Sequence, residues 1–141
     1  MQPRVGVAVL VIKDGTFLMG QRRGSHGEGT WSAPGGWLEY RESFEDAGAR
    51  EVKEETSRDV KDLQFAGITN NIFRDNQVHS ITVWLTARWV RGKPTITEPD
   101  KFIDQKWVDI ENLPAPLFLP WEELLASDFL SEIKNKIQLT K

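Results

Sequence analysis

The chain predicts an α+β or α/β sandwich and not a regularly alternating parallel sheet. Three observations lead there. The N-terminal stretch carries Val- and Ile-rich strand-like runs with a hairpin signal between them. One amphipathic helical segment interrupts the strands, and two more helical segments follow the last strand. The 141 residues are one domain's worth, enough for a single core, and 1–141 is taken as one domain.

Val5 to Lys13 reads as a buried strand. Met1-Gln2-Pro3-Arg4 in front of it faintly resembles a secretion signal, but the apolar run is short and Lys13-Asp14-Gly15 closes it without a small-residue cleavage site. Asp14-Gly15 is a hairpin turn signal, and Thr16 to Gln21 is the return strand. Gly24 to Gly29 forms a glycine-dense loop, Trp31-Ser32-Ala33 a short extended piece, and Pro34-Gly35-Gly36 a break. Ser43 caps a helix running to about Thr56, with Asp46 as a short-armed capping-box acid and Phe44, Ala47 and Val52 on its apolar face. Leu63 to Phe73 and His79 to Val90 are longer strands joined by the polar turn Arg74 to Gln77, and Ile103 to Val108 is a shorter one. Leu117 to Leu125 and Phe129 to Ile137 are helical, with Ser127 or Asp128 as the cap between them.

Composition removes several functions. A hydrophobic fraction of 39% and a charged fraction of 28% are those of a soluble globular chain, expected in the cytoplasm. A net charge of −3 offers no basic face to a nucleic acid polymer, while a small phosphorylated ligand needs only a few local cations. The absence of cysteine excludes disulfides and thiolate metal sites. No stretch approaches the ~20 apolar residues of a membrane span. His26 and His79 are too isolated to read as metal ligands, and Phe73, Trp84, Trp89, Trp107 and Trp121 are core candidates.

The helix after Ser43 carries Arg50-Glu51-Val52-Lys53-Glu54-Glu55. Residues three and four apart share a helix face, so Glu51, Glu54 and Glu55 fall on one stripe. Carboxylates crowded in this way repel one another, and a helix gains nothing from them. A hard dication such as Mg²⁺ cancels that repulsion, with phosphate oxygens completing its shell. A plain solvated charged face is the alternative for these six residues taken alone.

The flanking spacing decides against that alternative. Five residues separate Gly36 from Glu42, seven more lead to Arg50-Glu51, and Val52, one residue and Glu54-Glu55 follow. This resembles the Nudix box, G-x5-E-x7-R-E-U-x-E-E-x-G-U with U an aliphatic, at seven of its nine defined positions. The departures are Ser57 for the glycine and Arg58 for the last aliphatic. A glycine there ends the helix in a left-handed conformation, which costs serine roughly 1 kcal/mol. Val60 is placed to fill the apolar slot that Arg58 leaves. Gly20 to Gly24, Thr69 to Phe73, Glu98 to Lys101 and Glu111 to Pro114 also resemble MutT-like Nudix enzymes of the nucleotide pool, so the likeness covers roughly residues 4 to 126.

The resemblance implies a Nudix fold, an αβα sandwich with a mixed β-sheet packed between helices. It implies a Mg²⁺-dependent hydrolase, with Mn²⁺ able to substitute, that cuts a nucleoside triphosphate, including oxidised or modified dNTPs, to a monophosphate and pyrophosphate. Nucleotide sugars, dinucleotides and isoprenyl diphosphates are alternative substrates, and a non-catalytic nucleotide-binding regulatory module is the alternative of another class. The implied metal ligands are the Gly35 carbonyl with Glu51 and Glu55, with Glu54 at a second or water-mediated position. Asp100 is the matching loop acid, with Glu98 next in line. Arg50 and Glu42 are implied to be structural. Arg22 and Arg23 are candidates for the substrate phosphates, Leu117 and Phe118 for the pocket wall, and a homodimer for the assembly.

Overall fold

The computed structural model describes residues 2–24, 26–74 and 77–141. Its strands are β1 (Arg4–Lys13), β2 (Thr16–Arg22), β3 (Trp31–Ser32), β4 (Gly35–Trp37), β5 (Val60–Phe73), β6 (Val78–Trp89) and β7 (Phe102–Val108). Its helices are α1 (Phe44–Thr56), α2 (Leu119–Leu125) and α3 (Leu130–Gln138). None of these helices is long and apolar enough to cross a membrane.

The strands form one mixed sheet in the order β3-β2-β1-β6-β5, with β4 paired to β1 and β7 to β2. β1 and β6 lie parallel at the centre, and the other pairings are antiparallel. The near-continuous apolar run of β1 follows from burial on both faces. Val7, Val9 and Val11 face Ala47 and Val52 of α1, while Leu10 and Ile12 face Trp121 and Leu124 of α2 and Ile133 and Ile137 of α3. The sheet is therefore packed between α1 on one side and the C-terminal helices on the other.

The β1–β2 hairpin turns on Asp14 and Gly15, both at positive φ (49° and 77°), as a two-residue type I′ turn requires. Several expectations need correction. Gly35-Gly36 is not a break but part of β4, paired with Ala8 and Val7 of β1. Phe44 is 39% exposed and adds little to the core face of α1. β5 begins at Val60, three residues early, because register shifts around Lys61–Gln64 let Val60 pair with Trp89. α2 starts at Leu119, since Trp31 of β3 holds Pro116 and Phe118 by backbone hydrogen bonds of 2.9 and 3.0 Å. α3 has Phe129 as its N-cap without a side-chain bond, and Ser127 Oγ accepts from the Phe129 N–H at 3.3 Å instead. Asp75 and Asn76, the middle of the polar turn, lie outside the described residues.

Candidate active site

Helix α1 carries the acids. Ser43 caps it in extended conformation, and its Oγ accepts from the Asp46 N–H at 3.0 Å. β4 lies so close to α1 and β1 that a side chain is excluded at Gly35 and at Gly36. A Cβ on Gly36 would meet Glu51 Oε1 at 2.4 Å, and one on Gly35 would meet the Val7 carbonyl oxygen at 2.2 Å. The glycine pair is thus what lets the strand pass between the helix and β1. The Gly35 N–H donates to Glu55 Oε2 at 2.8 Å, so the Gly35 contact seen here is made by its amide and not by its carbonyl.

Arg50 organises the rim. Its Nε and Nη2 donate to Glu42 Oε2 and Oε1 at 2.7 and 3.0 Å, and Nη2 also donates to the Trp37 carbonyl at 3.2 Å. The bidentate pair ties the loop after β4 to the helix. The hydrogen bonds from Arg50 hold the Glu42 carboxyl below its usual range and raise the guanidinium's own proton affinity further. Nη1 donates to Glu51 Oε1 at 2.7 Å and leaves Oε2 outside that pair.

Glu51, Glu54 and Glu55 line one cavity of about 470 Å³. Burial pushes the Glu55 carboxyl well up, repulsion from Glu51 and Glu98 adds to this, and the Gly35 N–H and Arg22 oppose it. Burial also raises Glu51, against the hydrogen bond from Arg50, and Glu54 and Glu98 push it the same way. As placed, no three His, Cys, Asp or Glu side chains among the described residues stand close enough to hold a metal ion. The donor set nevertheless fits a hard dication in its chemistry. The carboxylates share one cleft, and their mutual repulsion is what a bound cation would relieve.

The loop acid differs from expectation. Pro99 and Asp100 lie in a turn in which the Lys101 N–H donates to the Glu98 carbonyl at 2.9 Å, and Asp100 is exposed. Glu98 lines the cavity instead, two residues earlier, and pairs with Lys101 Nζ at 3.1 Å. Arg22 and Arg23 both line the cavity. The Arg22 guanidinium lies 4.1 Å from the Phe118 ring centre, and its Nε donates to the His26 carbonyl at 3.1 Å. Burial works against the Arg22 charge, and Glu55 sustains it. Phe118 forms a cluster with His26 and Phe73 at centroid distances of 5.3 Å each. Leu117 does not join this wall. It bridges to Trp31, packs against the core of the C-terminal helices and lines, with Phe73 and Phe118, a neighbouring groove and not the acid-lined cavity.

The cavity also has a polar, uncharged lining that the sequence reading missed. Ser32, Ser80, Thr82 and Trp121 line it and are each at most 7% exposed. Ser32 Oγ and Trp121 Nε1 are buried without a hydrogen-bond partner, and Asn71 Nδ2 donates to Ser80 Oγ and Thr82 Oγ1 at 3.1 and 2.8 Å. Alternating Ser80 and Thr82 in a strand reads as a solvent face, and Trp121 reads as core, so no local signal marks the four as a group.

The fold agrees with the comparisons. The NUDIX domain profile matches residues 2–129, and the chain belongs to that family. The chain is 29% identical over 118 residues to an ADP-ribose pyrophosphatase of Methanocaldococcus jannaschii, covering 84% of this chain and 69% of that protein. It is 29% identical over 107 residues to an oxidized purine nucleoside triphosphate hydrolase of Danio rerio, covering 75% and 66%. A NAD-capped RNA hydrolase of Pseudomonas putida is 30% identical over 113 residues, and this chain spans only 39% of its length. Among solved structures, a MutT NUDIX hydrolase from Burkholderia pseudomallei superposes with a TM-score of 0.78 at 30% identity, covering 83% of this chain and 91% of that one. The chain is a MutT-like Nudix hydrolase.

Proposed function

We propose that this hydrolase cuts nucleoside triphosphates, including oxidised or modified dNTPs, to the monophosphate and pyrophosphate with Mg²⁺ or Mn²⁺. One observation carries the choice of substrate: the cavity that holds the glutamates is also lined by the buried, neutral polar side chains of Ser32, Thr82 and Trp121. Buried polar atoms without partners cost free energy, and a planar heterocycle with donors and acceptors on its edge satisfies them. An isoprenyl chain leaves them unpaired, which argues against isoprenyl diphosphates.

In this reading Glu51, Glu55 and the Gly35 carbonyl hold the metal, with Glu54 and Glu98 beside them. Bound there, the ion would neutralise phosphate charge and make a nearby water more acidic. Arg22 and Arg23 bind phosphate oxygens, and Phe118 with the aromatic cluster around it closes one wall. Glu51, or a loop acid, is placed to orient or deprotonate the attacking water. Arg50 and Glu42 keep the helix and the β4 loop in register. The resemblance also implies a homodimer, which light scattering tests directly.

A second reading keeps the cleavage and changes the leaving group to that of a dinucleotide or nucleotide sugar. It is favoured by the name of the archaeal relative and by the groove beyond Phe118, lined by Leu117, Asn70 and Glu122. A panel of nucleoside triphosphates, ADP-ribose and nucleotide sugars with Mg²⁺, read for pyrophosphate against monophosphate release, separates the two. Pyrophosphate from triphosphates at the highest kcat/KM supports the first reading. Faster cleavage of ADP-ribose without pyrophosphate sinks it.

A further inference from the structure

The C-terminus of α1 is capped by a distant segment. A helix leaves its last carbonyls without intrahelical partners. Here three consecutive ones are taken from the stretch between β6 and β7 and from β7 itself. Thr97 Oγ1 donates to the Glu54 carbonyl, Gln105 Nε2 to the Glu55 carbonyl at 3.1 Å, and the Thr95 N–H to the Thr56 carbonyl at 3.0 Å. Arg58 Nε donates to the Lys93 carbonyl at 2.9 Å, and Trp89 Nε1 donates to the Gly92 carbonyl at 2.9 Å. Arg58 is one of the two departures from the family box, and a Cβ on Gly92 would stand 2.6 Å from its Cζ.

The strapped stretch has no regular secondary structure, and Lys93, Thr95 and Thr97 are exposed. Such a connection moves freely unless its backbone is tied down. Its next residue, Glu98, is the carboxylate that reaches the cavity from outside α1. The Thr97 bond ends on Glu54, whose own carboxylate lines the same cavity. The Thr97 hydroxyl is therefore the tie nearest in sequence to the loop acid, beside the Thr95 and Gln105 contacts, that links it to the helix acids.

We infer that Thr97, assisted by Arg58, is a positioning residue that holds Glu98 over the glutamates of α1 and thereby sets the affinity of the site for a divalent cation. The inference rests on the metal-site reading above, and the experiment keeps the two apart. Free Mn²⁺ is titrated by electron paramagnetic resonance against the wild type, Thr97→Val, Thr97→Ser, Glu98→Gln and the double variant Thr97→Val/Glu98→Gln, with folding checked by circular dichroism. Thr97→Val removes the donor from an exposed side chain while keeping its shape. It is expected to weaken Mn²⁺ binding roughly tenfold, the lower range for residues that orient metal ligands. Thr97→Ser restores it, and Arg58→Leu weakens it in the same direction. The double variant binds as Glu98→Gln does alone, because Thr97 acts through Glu98. Wild-type affinity in Thr97→Val, or full additivity in the double variant, overturns the positioning role. Unchanged affinity in Glu98→Gln overturns it too, and removes Glu98 from the metal site as well.

Discussion

Glu55 is the residue on which the chemistry and the stability of this chain pull in opposite directions. The residue is 4% exposed and its carboxyl sits among other acids, so the folded chain holds its proton more tightly than the unfolded chain does. A carboxyl raised in this way favours the folded state at low pH. That advantage is lost as pH climbs from the ordinary carboxylate value of 4.5 through the raised one. Burial lowers the proton affinity of His26, which works the other way in this range, so the Glu55 share is read as a difference: between about pH 5 and about pH 8 the metal-free wild type is expected to lose melting temperature relative to Glu55→Gln. Glu55→Gln keeps an acceptor for the Gly35 N–H and removes the charge, so it flattens that slope while lowering kcat by roughly a hundredfold or more, ~3 kcal/mol of barrier. Calorimetry across pH, with and without EDTA, and turnover at saturating Mg²⁺ check both halves. Near-normal turnover in a folded Glu55→Gln variant ends the assignment of this residue to the metal. Arg50 makes a separate case at the same scale. Lysine cannot reproduce the two-pronged contact with Glu42, and Arg50→Lys is expected to cost about 1–2 kcal/mol in urea unfolding.

At the scale of the element, α1 was the most legible part of the chain because its signals are local. Ser43 with Asp46 marks its start, and the carboxylate stripe follows from the helical repeat alone. Its end is where the box departs from the family, and Ser57 still adopts the left-handed conformation, φ 66°, with its N–H on the Lys53 carbonyl at 2.9 Å. Serine thus pays the conformational cost that glycine avoids. Ser57→Gly is expected to raise stability by about 0.5–1 kcal/mol in urea unfolding, without altering turnover. A loss of stability would mean that the Ser57 side chain makes a contact worth more than the backbone strain. Val60 packs against the cluster of Val9, Val11, Leu18 and Val52, which leaves Arg58 free for Lys93. β4 was less legible. Pro34-Gly35-Gly36 looks like a break because glycine has poor strand propensity, and the close approach that demands glycine there is made by α1 and β1, both distant in sequence.

At the scale of the whole molecule, long-range closure decides what the sequence could reveal. The mixed α and β class followed from counting elements, the sheet packed between helices came with the family resemblance, and the acids of α1 followed from their spacing. The loop acid did not, because a turn at Glu98–Lys101 sends Asp100 outward and Glu98 inward, and no local pattern distinguishes the two. The polar lining of the cavity was hidden for the same reason, since Ser32, Thr82 and Trp121 come from three separate elements. This assembly bears on the metal. The unfolded chain scatters the acids that the folded chain gathers, so a dication binds the folded form alone and stabilises it by mass action. At a hundredfold excess over its dissociation constant the gain is about 2.7 kcal/mol. Mg²⁺ is therefore expected to raise the melting temperature and to restore the activity that EDTA removes, with Mn²⁺ doing the same. The stabilisation is expected to shrink in Glu55→Gln and in Glu98→Gln, because each removes one of the charges the cation neutralises. A melting temperature indifferent to Mg²⁺, in a protein whose turnover also survives EDTA, places the chemistry outside this cleft.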